Sequence, residues 1–144
     1  MQKIILISAM LILSISLIAS CGGNANTALE DTKWLLRSYG EQGNPKTLIE
    51  GTEITAMFDS TEGRINGSAG CNTYFARYEV DGNKLSIPEL AYTEMACLSP
   101  EGIMEQEQLF LSILRNALSF EADDTTLTIF SSGGHELYFT TATR

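Results

Sequence analysis

The chain carries 144 residues, with eighteen Asp/Glu against nine Lys/Arg and a formal net charge of −9. This acidic excess, with no Lys/Arg run to override it, repels phosphate backbones and excludes nucleic acid as a partner. The length suits one domain with a real hydrophobic core and leaves no room for a second.

The first twenty residues read as a processing signal rather than as part of a fold. Lys3 gives a short positive start, Ile4 to Ile18 is an Ile/Leu-dominated run broken by serines, and Ile18-Ala19-Ser20-Cys21 closes it. The run is short for a bilayer core of about 30 Å, which needs around 20 apolar residues. The closing tetrapeptide resembles a lipobox, which makes Cys21 the lipidated first residue of the mature chain. Two or more acyl chains hold a protein on a membrane stably, at about 0.8 kcal/mol per buried methylene. By the same resemblance, Gly22 lacks the aspartate that retains many lipoproteins at the inner membrane. The expected address is therefore the outer membrane, facing the periplasm. Cleavage removes Lys3 and no acidic residue, which leaves 124 residues with a net charge of −10.

Residues 21–28 then form the lipidated cysteine and a small, polar tether, and the domain is expected over residues 29–144. Lys33 to Tyr39, with Trp34, reads as a first strand. In Thr52 to Phe58, Ile54, Ala56 and Phe58 fall on one face. Arg64 to Val80 is long enough to bend or fold back, and its alternation slips phase once. Ile65, Gly67, Ala69, Cys71 and Phe75 are odd-numbered, whereas Tyr74, Ala76, Tyr78 and Val80 are even-numbered. A one-residue slip exchanges the faces of a strand, so a bulge or sharp bend is expected near Gly70 to Tyr74. Asp81-Gly82-Asn83 ahead of Leu85 and Ile87 is a hairpin signal.

A helix is expected next, with Ser99 as its cap, Pro100 at its first position and Glu101 at its positive end. Its apolar stripe would be Phe110, Ile113, Leu114, Ala117 and Leu118. Thr126 to Phe130 and Glu136 to Thr141 flank Ser131-Ser132-Gly133-Gly134 as a closing hairpin. The class is α+β: a mainly antiparallel sheet or small open barrel with one packed helix.

These segments carry a pattern. Asp31-Thr32-Lys33-Trp34-Leu35-Leu36, Gly63-Arg64, Gly67-Ser68-Ala69-Gly70-Cys71-Asn72-Thr73-Tyr74, Leu85-Ser86-Ile87 and Thr93-Glu94-Met95-Ala96-Cys97 resemble the META domain of HslJ-like proteins. The resemblance spans nearly the whole mature chain. It implies a compact antiparallel β domain with one helix and no established enzymatic activity. Among its relatives it implies heat-inducible expression and novobiocin tolerance in bacteria. Trp34, Gly67, Gly70, Asn72, Tyr74 and Thr93 are its structural motif residues.

Cys71 and Cys97 remain once Cys21 is assigned to the lipid. In an oxidising periplasm an even remainder favours a disulfide, and closing a loop of about 27 residues stabilises by roughly 3.5 kcal/mol on the chain-entropy argument. Simple burial is the alternative, and a reactive thiol or metal ligand the functional rival. Zinc would need more His/Cys ligands than the chain assembles, so no metal and no cofactor are expected. His135 reads as an exposed hairpin-tip residue around which no triad can be built. The carboxylates Asp59, Glu62, Asp123 and Asp124 flank turns and read as solvated. Trp34, Phe58, Tyr74 and Phe110 read as core. Asn72, beside the bend, is placed to satisfy backbone groups the bend leaves unpaired.

The expectation is a non-enzymatic, lipid-anchored envelope protein with an acidic surface for an unidentified periplasmic protein partner. Its rival is a module that holds an acyl chain or peptide in an apolar groove between helix and sheet, which a cavity above about 300 Å³ would favour. A hydrolase using Cys71 or Cys97 with His135 is a second rival.

Overall fold

A computed structural model describes residues 28–142. The expected signal segment, Cys21 and the tether up to residue 27 lie outside the described residues. The strands are β1 (Lys33–Glu41), β2 (Asn44–Thr47), β3 (Thr55–Asp59), β4 (Arg64–Ser68), β5 (Thr73–Arg77), β6 (Glu79–Asp81), β7 (Lys84–Ser86) and β8 (Ala91–Tyr92). Helix α1 (Ile103–Arg115) follows, then β9 (Ala117–Ala122), β10 (Thr126–Ser131) and β11 (His135–Thr141). The strands form one curled antiparallel sheet in the order β6-β7-β9-β10-β11-β1-β3-β4-β5-β8, with β2 on β1. Helix α1 packs against β1, β10 and β11. The architecture is the α+β half-barrel with one helix that the sequence implies.

Cross-strand rows of inward side chains make the core. Tyr39, Leu137, Ile129 and Phe120 align across β1, β11, β10 and β9, and all four are buried. Phe58, Ile65 and Ala76 make a second row across β3, β4 and β5. Each large apolar side chain so covered contributes about 1.5–3 kcal/mol. Trp34, Phe58, Tyr74 and Phe110 are all core, and the Trp34 indole N–H donates to the Leu29 carbonyl at 2.9 Å. Ile54, Ala56 and Phe58 share the buried face, as their spacing predicts.

The Arg64–Val80 stretch folds back as the β4–β5 hairpin and runs on into β6, so the phase slip marks a chain reversal. Before it Ile65 and Ala69 are buried; after it Tyr74 and Ala76 are buried while Phe75 is exposed. The β6–β7 and β10–β11 hairpins close where expected, through Asp81↔Lys84 and Ser131↔His135.

The helix is shorter than its apolar stripe implies. Gly102, not Ser99, precedes it, at φ 83°, and no side chain caps it. That left-handed residue breaks the helical path, so Pro100 belongs to a separate turn in which the Ile103 N–H donates to the Pro100 carbonyl at 3.2 Å. At the other end the Asn116 carbonyl accepts from Ser131 Oγ and the Ser132 N–H, which turns the chain into β9. Ala117 is therefore buried from a strand, and Leu118 is exposed.

In the β9–β10 turn the exposed Asp123 carboxylate accepts hydrogen bonds from the N–H and hydroxyl of both Thr125 and Thr126 at 2.7–2.9 Å. These bonds, the Thr125 N–H first, pull its pKa from 3.8 down to about 2. A lowered folded-state pKa supports the turn above the ordinary carboxylate pKa, and the support fades as pH falls towards 2. Carboxyl-carbon NMR titration of Asp123 is expected to give a midpoint near 2; an ordinary midpoint near 3.8 would mean that the four donors are not engaged.

Candidate functional site

The β4–β5 reversal brings one buried amide into contact with a loop and a helix. Ala69 N–H donates to the Asn72 carbonyl at 2.7 Å, and Gly70 takes φ 110°, a conformation that favours glycine. Asn72 is buried. Its Oδ1 accepts from Thr93 Oγ1 at 2.7 Å and the Met95 N–H at 2.8 Å. Its Nδ2 donates to the Met95 carbonyl at 3.1 Å and to Glu107 Oε1 at 2.7 Å. An amide side chain has two donor hydrogens and two acceptor lone pairs, and here all are used. The β5–β8 pairing ends with the Thr93 N–H on the Thr73 carbonyl, and Asn72 continues it by pairing with both backbone groups of Met95.

Glu107 is the second half of the cluster. It comes from α1 and is buried, and its Oε2 accepts the Asn72 N–H at 2.6 Å and the Cys71 N–H at 3.2 Å. Together with Asn72 Nδ2 on Oε1, three donors converge on one carboxyl group. Gln106 beside it is also buried, accepts the Ile49 N–H at 2.7 Å and donates to Thr52 Oγ1 at 3.0 Å. The first half of α1 thus places polar side chains where a helix normally buries apolar ones, and uses them to hold two loops. Among the described residues no buried side-chain nitrogen or oxygen lacks a partner.

Gly67 and Tyr74 solve a different packing problem. A Cβ on Gly67 would strike the Thr55 carbonyl, which approaches the glycine across the β3–β4 pairing. The Tyr74 hydroxyl donates to that same carbonyl at 2.8 Å. Tyr74 is fully enclosed, its ring edge-on to Phe110 at 5.5 Å, and burial pushes its pKa well above the ordinary tyrosine range.

Cys71 and Cys97 are joined, with their Cα atoms 6.0 Å apart. The bond ties the Asn72 turn to the far end of the Thr93–Cys97 segment, so neither cysteine offers a thiol. Exchanging both for serine is expected to lower the unfolding free energy by roughly 3.5 kcal/mol, a shift on the order of 10 to 20 °C in thermal midpoint. Thermal melts of the two oxidised proteins check this, and coincident melts would contradict it.

Between this tied segment and α1 lies a cleft of about 270 Å³. Tyr92, Met95, Met104 and Leu111 give it apolar walls, and Arg115 stands at its rim. Tyr92 and Met95 are about half exposed. Asn72 and Glu107 form part of the lining, but their polar atoms are already taken up by the cluster.

The META domain family model matches residues 27–144. The chain belongs to the META domain family. Its fold is similar to an NMR structure of a protein from Burkholderia xenovorans, at 27% identity, covering 83% of this chain and 88% of that one with a TM-score of 0.69. A second NMR structure matches at 21% identity, over 78% and 90% of the two chains, with a TM-score of 0.58. A crystal structure of a DUF4847 family protein from Bacteroides vulgatus ATCC 8482 matches at 15% identity, over 80% and 95%, with a TM-score of 0.58. These last two speak for the fold alone. No curated protein matches the chain.

The META domain sets Cys71 and Asn72 of its motif on Glu107, links Thr93 to them through Asn72 and Cys97 through the disulfide, turns the chain at Gly70, and holds Gly67 and Tyr74 against the Thr55 carbonyl. Trp34 lies apart on β1, where it anchors Leu29. His135 is half-buried at the start of β11 rather than exposed at a tip, with Nδ1 3.4 Å from the Ser132 carbonyl. Among the described residues no group of three or more His, Cys, Asp or Glu is placed to hold a metal ion. Sequence reasoning misses Glu107 and Gln106. Their signal is present in retrospect: Ile103, Gln106, Glu107 and Phe110 continue the helical stripe, with two polar residues at core positions.

Proposed function

We propose that this META domain is a non-enzymatic binding module, exported, anchored through lipid on Cys21 at the periplasmic face of the outer membrane, and engaging an envelope protein through the cleft beside α1. The observation that carries this reading is the contrast between the cleft's walls and its frame. Tyr92 and Met95 present exposed apolar surface to the cleft, while the polar side chains of Asn72 and Glu107 behind them are held in structural hydrogen bonds. A catalytic site needs a group free to take a proton or attack a carbonyl. Here the disulfide occupies both cysteines, Glu107 faces three donors, and His135 sits on the β10–β11 hairpin.

At about 270 Å³ the cleft falls short of the roughly 300–1,000 Å³ usual for sites that enclose a whole small molecule. The half-exposed Tyr92 and Met95 leave it open on one side, which favours a protein contact over an enclosed acyl chain. A role in tolerance of envelope stress or of novobiocin-type antibiotics follows the family resemblance and belongs to the same proposal. The anchor is tested by metabolic palmitate labelling of intact cells. Wild-type protein is expected to take up label and the Cys21→Ser variant none; an unlabelled wild-type chain would remove the proposed address.

A further inference from the structure

We propose that the cleft receives an extended peptide segment of its protein partner, which adds to the sheet as the next strand beyond β8 and presents an acidic group to Arg115. This rests on the binding-module reading above and names the class of partner.

Three observations carry it. The sheet ends at β8, which has a neighbour on one side only. In an antiparallel ladder successive residues point their backbone groups alternately toward and away from the neighbouring strand. The Thr93 N–H is spent on the Thr73 carbonyl, so the backbone groups of Tyr92 and Glu94 point outward, away from β5. Two outward residues, two apart, are the template that strand addition uses.

Next, the ground beside that edge is shaped for a side chain. Tyr92 stands opposite Tyr74 on the inner face of the sheet, and with Met95, Met104 and Leu111 it lines the cleft between β8 and α1. A strand laid along β8 would turn every second side chain towards this cleft. Methionines on two facing walls adapt to differing apolar shapes, which suits recognition of one anchoring side chain. The backbone of the receiving edge is held in place from behind by Asn72 and by the Cys71–Cys97 bond.

The charge at the site is the third observation. In a chain with twice as many acidic as basic residues, Arg115 lies on the cleft rim with no ion pair among the described residues, whose two pairs are Lys33–Glu53 and Arg64–Glu62. An unpaired guanidinium at the end of an apolar cleft selects a carboxylate, an acidic side chain or a chain terminus. Glu94, which also lines the cleft, disfavours a second acidic group beside it.

The test uses the full acylated chain in detergent micelles and a displayed library of random twelve-residue peptides. Selection is expected to enrich peptides with alternating apolar residues and an acidic residue on one side of them. Binding of the enriched peptides should weaken tenfold or more with Arg115→Glu, a surface substitution that leaves the core intact, and recover when the peptide's acid is exchanged for lysine. Methylating two alternate peptide nitrogens should abolish binding, because strand pairing needs those N–H groups. No enrichment, enrichment indifferent to Arg115→Glu, or displacement of the selected peptides by a fatty acid at micromolar concentration would overturn the proposal. Palmitate labelling that succeeds while these arms fail leaves the anchored module standing and removes only the strand-addition mode.

Discussion

Replacing Glu107 by alanine is expected to lower the unfolding free energy by about 3 to 5 kcal/mol. The loss does not come from a missing charge pair, since no cation touches this carboxyl among the described residues. It comes from three N–H donors, those of Cys71, Asn72 and the Asn72 side chain, left facing a void. Each orphaned buried donor costs about 1–3 kcal/mol, and partial entry of water keeps the sum below the simple total. Glu107→Gln separates this from a packing effect. Glutamine fills the same volume, but both carboxyl oxygens accept here, so its NH₂ must face a donor whichever way it turns. An intermediate loss is expected. Asn72→Ala removes the same hydrogen bond from the other side, so a double-mutant cycle should return a coupling of about 1–3 kcal/mol. Urea unfolding of the wild type, Glu107→Ala, Glu107→Gln, Asn72→Ala and the double variant checks all of this, and Glu107→Ala within 0.5 kcal/mol of wild type would refute the arrangement.

Gly67→Ala should be at least as damaging, at about 4 kcal/mol or more, for a steric reason. The added methyl collides with the Thr55 carbonyl, and Tyr74 Cε1 at 3.1 Å blocks the other direction. A backbone oxygen fixed in a three-strand pairing cannot swing aside as a side chain can, so β3 and β4 must part or Tyr74 must lose its hydrogen bond. Gly70→Ala is the matched control. A Cβ there meets nothing closer than 3.7 Å, and the cost is only that of holding alanine at φ 110°, about 1–3 kcal/mol. Equal melting temperatures for the two variants would contradict the steric account.

Much of the sheet was legible because inward side chains carry it. Ile54, Ala56 and Phe58 alternate without interruption, and the change of parity between Ala69 and Tyr74 located a reversal. The parts that escaped notice lack that signature for physical reasons. Strand β2 is exposed throughout and contains Pro45, so only its backbone joins the sheet. Strand β8 has two residues, both exposed. Strand β9 buries Ala117 and Phe120, three apart, because a register shift opposite Phe130 and Ser131 breaks its alternation, and this spacing passes for helix. Within the site, Asn72 stood out by its place at a bend, whereas Glu107 was hidden in an acidic, solvent-seeming stretch of helix. Its burial follows from tertiary contacts 35 and 36 residues away, which no local pattern encodes.

The binding surface proposed here works only if the turn behind it is a fixed wall. Amide hydrogen exchange at Cys71 and Asn72 measures that directly. Both donate to a buried carboxyl, so they should exchange as slowly as the paired amides of β4 and β5 and lose that protection in Glu107→Ala. Exchange as fast as at Thr61 and Glu62, whose N–H groups meet the exposed Asp59 carboxylate, would show that the wall is open and contradict the account.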